Sequence, residues 1–206
     1  MPPRQRRLAR QVRAYELKVT LRGIRPPAWR RVKVRSDITL EDLHRVPQVV
    51  MGWTDSHMHA FRSVGGKANL RDGQAAVERN EERRTRLDEL LRKPKDRLVY
   101  EYDFGDSWEH EVLLEKVLDH LPGARYPWVL GGARACPPED VGGVGGYARF
   151  LQAMRAPRHP EHKEMMEWYG GPFDPEACRE RSSLRFCGRM PLSWWTSAVW
   201  FVRGWR

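Results

Sequence analysis

His57 and His59 stand two residues apart in the run Ser56-His57-Met58-His59-Ala60-Phe61. On an extended strand this spacing turns both imidazoles to one face, about 7 Å apart along the backbone, a separation that two metal ligands can use. His110, Asp103, Asp106 and Cys136 are the further donors at hand, and His57, His59 and His110 form the candidate set for one divalent transition metal. The plainer use of such a pair is as surface or hydrogen-bonded histidines, in which case the chain needs no cofactor.

A second concentration of chemistry lies in Tyr100-Glu101-Tyr102-Asp103-Phe104-Gly105-Asp106-Ser107-Trp108-Glu109-His110. Carboxylates beside a histidine can do general acid and base work, which makes Asp103, Asp106, Trp108 and His110 candidate ligand or site residues. Against this, Asp next to Gly is ordinary turn chemistry. The two aspartates are expected to accept backbone N–H bonds that hold the turn, with Phe104 and Trp108 packing beneath it.

Other patterns point away from catalysis. Gly143-Val144-Gly145-Gly146-Tyr147-Ala148 matches a glycine-rich dinucleotide fingerprint in form. However, Pro137-Pro138-Glu139-Asp140 stands where the preceding strand should be, so no phosphate-binding site is assigned. Ser107 sits in G-D-S-W-E, which is not a nucleophile elbow. Trp29, Trp53, Trp108, Trp128 and Trp168 could stack on bases or sugars if exposed, although core packing is the commoner use.

The formal charge of +10 resides at the ends. Residues 1–13 hold five Arg and no acid, and residues 179–206 hold six Arg against Glu180 alone. With the ends set aside, 26 basic and 26 acidic residues remain, so simple electrostatic capture of nucleic acid or of an acidic protein falls to the basic ends. Cys136, Cys178 and Cys187 are odd in number and widely spaced. They make neither a disulfide framework nor a Cys-rich zinc site, and a reducing, cytoplasmic setting is expected. No apolar run reaches the ~20 residues of a membrane helix, and the Arg-rich start lacks the apolar stretch of a secretory signal.

The elements that must position these residues follow from periodicity. Tyr15–Leu21 alternates as a strand, Gly23 and Pro26-Pro27 turn it, and Trp29–Arg35 returns with Val32 and Val34 inward. Thr39 caps a helix over about 40–51 that Gly52 stops, and Pro47 predicts a kink or an early end. A third strand is expected over Thr54–Ser63, a long loop over 64–84, and a short helical turn around Leu87–Leu91 closed by Pro94. Arg97–Asp103 and Glu109–Val117 make a second hairpin. Pro137–Asp140 is expected to start a helical turn that Gly142-Gly143 ends, and short helices follow at Tyr147–Met154 and His162–Tyr169. The class is α+β. A small mixed or antiparallel sheet of two hairpins plus one strand packs with one helix of the N-terminal half and short C-terminal helices.

In order along the chain, Tyr15–Val19 with Pro26–Arg31, Leu40–His44, Met51-Gly52-Trp53, Ser56–Phe61, Tyr100–His110 and Pro137–Gly143 resemble the plasmid pRiA4b open-reading-frame-three-like family. The resemblance covers about 14–177 and ends in Trp168-Tyr169-Gly170-Gly171 and Phe173–Glu176. It implies a compact α+β fold and a setting on plasmids or beside transposases, and it implies no reaction. The chain departs from the pattern at Pro47, where the family helix usually carries an apolar residue, and again beyond Ala177.

The expected organisation is a basic disordered arm at 1–13, one domain at 14–177, and an Arg- and Trp-rich tail at 178–206. The tail reads as a frameshifted or read-through terminus, or else as a partner-docking segment. The expected function is a non-catalytic binding or accessory module of a mobile element, with protein or nucleic acid as partner. The alternative is a metal-dependent enzyme or metal-binding protein using the His57, His59 and His110 face.

Overall fold

β-branched and aromatic residues at alternate positions drive six segments into one sheet, because only one side of each strand is apolar enough to bury. In the computed structural model, which describes residues 11–63 and 77–178, the strands are β1 (Arg13–Leu21), β2 (Trp29–Arg35), β3 (His59–Ser63), β4 (Arg97–Tyr102), β5 (Trp108–Asp119) and β6 (Trp128–Ala133). They pair antiparallel throughout in the order β3-β4-β5-β1-β2-β6.

The inner face carries Tyr15, Leu17, Val19 and Leu21 from β1 and Val32 and Val34 from β2. Phe61 from β3, Leu98, Tyr100 and Tyr102 from β4, and Trp108, His110, Val112 and Leu114 from β5 continue it. A shift in the β1–β5 register takes Glu115 out of the pairing, so that Tyr15 meets Val117 and apolar side chains stay inward beyond the irregularity.

α1 (Leu40–Met51) covers this face with Leu40, Leu43, Val46 and Met51. Thr39 accepts the Asp42 N–H at its start, and Gly52, at φ 87, closes its end. The helix does not end at Pro47. Val46, Pro47 and Gln48 are all buried and the Gly52 N–H reaches the Gln48 carbonyl, so packing on both sides of the proline holds the last turn despite the missing donor. α4 (Gly143–Arg155) adds Tyr147 and Phe150 to the same core, and α5 (His162–Tyr169), with no fully buried residue, packs against it through Met165 and Tyr169.

Several expectations are corrected. The third strand begins at His59, because Asp55 takes a left-handed backbone (φ 60) and residues 54–58 wrap over the end of the sheet. Residues 135–138 are irregular and only Glu139-Asp140 turn, so no helical turn starts there, and Gly142-Gly143 open α4 where a terminator was expected. β6 was not foreseen, since Leu130, Gly131 and Gly132 break the alternation that would mark a strand. The long loop contains α2 (Arg79–Glu82), and the turn after it is α3 (Leu87–Leu90). Residues 1–10, 64–76 and 179–206 lie outside the described residues, and with them most of the basic arm, much of that loop and nearly all of the Arg- and Trp-rich tail; Arg13, placed in the arm, is the first residue of β1. Among the described residues no helix is long and apolar enough to cross a membrane.

Candidate metal centre

Three segments meet at the end of the sheet where β4 turns into β5. The first is the turn itself. Asp103 closes β4 with φ 58, and its Oδ1 accepts the Gly105 and Asp106 N–H groups at 2.9 and 3.3 Å. The expectation that this aspartate holds the turn is met by one oxygen only. The other, Oδ2, faces His57 Nε2 at 3.7 Å.

The second segment runs from α1 to β3. The Tyr102 hydroxyl accepts the Ser56 and His57 N–H groups at 2.9 and 3.3 Å, and the Tyr102 ring meets the His57 imidazole edge-on. The third is the loop before α4. Glu139 accepts the Thr54 N–H and hydroxyl and the Tyr102 hydroxyl, while Trp53 Nε1 donates to the Pro137 carbonyl. Burial, and then the bond to Glu139, push the Tyr102 phenol well above its ordinary range, so it keeps its proton as a donor.

These anchors bring Asp140 Oδ1 to 2.9 Å from His57 Nε2. That nitrogen is shielded from solvent and makes no hydrogen bond: the Asp103 contact is too long, and the Asp140 contact, though short, is not aligned as one. One donor atom from each of His57, Asp103 and Asp140 lies within 4.8 Å of the others. Nitrogen and oxygen ligands at 2.0–2.2 Å from a tetrahedral zinc stand about 3.4 Å apart, and the observed 2.9 and 3.7 Å bracket that separation. The Asp140 side chain is 67% exposed, so one side of the group opens to solvent.

A second cluster lies inside. His44 on α1 stacks face to face on His59, centroids 3.5 Å apart at 7°. His44 Nδ1 meets the Tyr100 hydroxyl at 2.8 Å and Nε2 meets Asp55 at 2.7 Å, while His59 Nε2 meets the buried Glu82 at 2.9 Å. His44, Asp55 and His59 also fall within ligand distance of one another. Parallel rings, however, send their in-plane lone pairs side by side and do not converge on one ion, and three of the four ring nitrogens are already bonded. Burial, with His59 alongside, holds the His44 pKa below its ordinary value.

The structure therefore separates His57 from His59, and His110 joins neither group. His110 is fully buried beneath Tyr100 and Trp53, and burial pulls its pKa down to about 4. Trp108 is a core residue, and Phe104, expected beneath the turn, is 49% exposed. Asp106 turns outward from the site and accepts the Gly142 N–H at 3.1 Å, filling the start of α4 with its own carboxylate. The backbone of Asp106 packs so closely on Gly143 that a Cβ there would stand 2.6 Å from its carbonyl oxygen, which explains the glycine-rich start without a phosphate.

Residue reading missed Asp140, His44, Asp55 and Glu82 as partners. The available signal for Asp140 was the position of Pro137-Pro138-Glu139-Asp140 among the other ordered motifs.

A model of the plasmid pRiA4b ORF-3-like proteins matches residues 13–182. The uncharacterized protein y4hQ of Sinorhizobium fredii is 39% identical over 128 residues, which are 62% of this chain and 66% of the relative, slightly under two thirds of its length. Among solved structures, the protein of unknown function MM3350 from Methanosarcina mazei Go1 superposes with a TM-score of 0.71 at 36% identity, over 81% of this chain and 95% of that one.

Proposed function

We propose that this chain, which belongs to the plasmid pRiA4b ORF-3-like family, is a binding module of a mobile element that holds one divalent first-row metal on His57, Asp103 and Asp140. The observation that carries this reading is His57 Nε2 between two carboxylate oxygens at 2.9 and 3.7 Å without a directed hydrogen bond. One imidazole and two carboxylates suit zinc, manganese or iron, and the two aspartates balance a dication in charge.

The module acts by binding and not by catalysis. The groups that would serve as acid or base beside the metal are Tyr102, Glu139 and Asp106, and all three are committed to bonds that hold the surrounding loops. A metal-dependent enzyme is the second reading. Its support is the exposure of Asp140, since three protein ligands with an open side are what catalytic zinc sites keep.

Titration of chelator-stripped full-length protein with Zn²⁺, Mn²⁺ and Co²⁺, followed calorimetrically and by cobalt absorption, tests the proposal. One equivalent should bind, His57→Ala and Asp140→Asn should each weaken binding about 100-fold or more, and His59→Gln should leave it within a few-fold. An absence of binding at micromolar metal, or equal loss in His57→Ala and His59→Gln, would overturn the assignment.

A further inference from the structure

The outer face of the sheet divides into two halves of different chemistry. On the β3-β4-β5 half, cations lie against carboxylates: Arg62 on Glu101 and Glu109, Arg97 on Glu111, and Arg22 on Glu109 and Glu111. On the β1-β2-β6 half, Lys18 Nζ lies 5.0 Å from the Trp29 ring centroid and Lys33 Nζ lies 5.4 Å from that of Trp128. Neither lysine has an ion pair with a described carboxylate, although Glu16 stands opposite Lys33 on β1, where Lys116 and Arg31 pair with it. Arg31, which is paired to Glu115, also lies over Trp29 at 5.2 Å, and the Tyr126 ring lies 4.9 Å from Trp128.

Strand geometry sets these groups in rows. Val32 and Val34 point inward, so Trp29, Arg31 and Lys33 share the outer side of β2. Lys18 stands opposite Arg31, and Trp128 stands opposite Lys33. Trp29 and Lys33 are four residues apart, about 13 Å along the strand, so the two tryptophans are spaced widely enough to serve different bases. Both tryptophans are partly buried, with the remainder of each reaching solvent.

From this placement we propose that the outer face of β1, β2 and β6 binds single-stranded nucleic acid, with Trp29 and Trp128 stacking on unpaired bases and Lys18 and Lys33 meeting phosphates. A lysine resting on an aromatic ring gives up a weaker partner on meeting a phosphate than one that must leave a carboxylate. Bases supply the π-faces that tryptophan needs, and they are free only in a single strand, which sets this ligand above a duplex. An acidic peptide would satisfy the lysines and offer nothing to the tryptophans.

Anisotropy of a labelled oligothymidine of about 12 nucleotides, titrated with the full chain in chelator, measures this apart from any metal. Trp29→Ala and Trp128→Ala should each weaken binding about tenfold. Lys18→Ala with Lys33→Ala should reduce the slope of log affinity against log salt by about 1.4, or about 0.7 for each phosphate contact. Four outcomes overturn the proposal: no binding, binding unchanged in the tryptophan variants at unchanged melting temperature, equal affinity for the duplex, or capture of polyglutamate in place of the oligonucleotide. The second would assign the affinity to the basic ends.

Discussion

Tyr102 shows how much one side chain holds at the candidate centre. Its hydroxyl accepts two N–H groups from the His57 segment and donates to Glu139 in the Asp140 loop, so two of the three ligand-bearing segments hang on one oxygen. Tyr102→Phe should destabilise the protein by about 1–3 kcal/mol, read from urea unfolding. It should also weaken metal binding about 10- to 100-fold without removing a ligand, as loss of an outer partner does. His110 makes a different prediction. Its folded pKa of about 4 lies below the unfolded value of 6.5, so the unfolded chain takes up protons first as acid is added. The stability that His110 contributes is complete above pH 6.5 and is lost as pH falls toward 4, at most about 3 kcal/mol. His44 titrates in the same sense. Unfolding free energies at pH 7 and pH 4.5 should therefore differ less in His110→Leu than in the parent chain.

At the scale of elements, α4 and the turn after β4 form one unit. Gly142, Gly143 and Gly146 let the helix start press against the Asp106 backbone and the Val141 carbonyl, and a Cβ at position 146 would stand 1.9 Å from that oxygen. Gly146→Ala should cost about 1–3 kcal/mol by overpacking and, because Asp140 sits in the displaced loop, should lower metal affinity as well. α1 supplies the opposite case. Pro47 denies the Leu43 carbonyl its helical partner while its own side chain is buried. Pro47→Ala restores the donor at the loss of some packing and should raise stability by about 1 kcal/mol, since an interior proline costs roughly 3 kcal/mol and the vacated volume takes back part of that. Thermal denaturation would show a higher midpoint.

Considered whole, the molecule is a one-sided sheet. Its inner face, α1 and part of α4 form the core, and its outer face, among the described residues, is a charged and aromatic surface. The candidate metal centre sits where the sheet ends, on loops already tied by Tyr102, Glu139 and Asp106, and a metal would bind only where the fold holds its three ligands together. A metal at 100 times its dissociation constant should therefore stabilise the chain by about 2.7 kcal/mol, seen as a rise in melting temperature that His57→Ala abolishes and His59→Gln retains. The outer ion pairs should matter little, because exposed pairs are worth about 0–1 kcal/mol each. Arg97→Ala should shift the melting temperature by no more than a degree or two.

Local pattern determined much of this protein. Alternation in Tyr15–Leu21, Trp29–Arg35, Arg97–Asp103 and Glu109–Val117 marks strands because neighbouring side chains must face opposite media, and Thr39 and Gly52 mark a helix by the groups that satisfy or end it. Composition located the excess charge at the ends, and Asp beside Gly announced the turn after β4. Tertiary structure decided which of the chemically able residues meet. His57 and His59 share a spacing but not a site, because the chain before β3 leaves the strand at Asp55 and carries His57 over the sheet end while His59 stays in its plane. Asp140 comes to His57 from more than eighty residues away, through contacts that no window of sequence contains. The opposition of lysine to tryptophan on the outer face likewise depends on register between strands, which is a property of the folded sheet and not of any one segment.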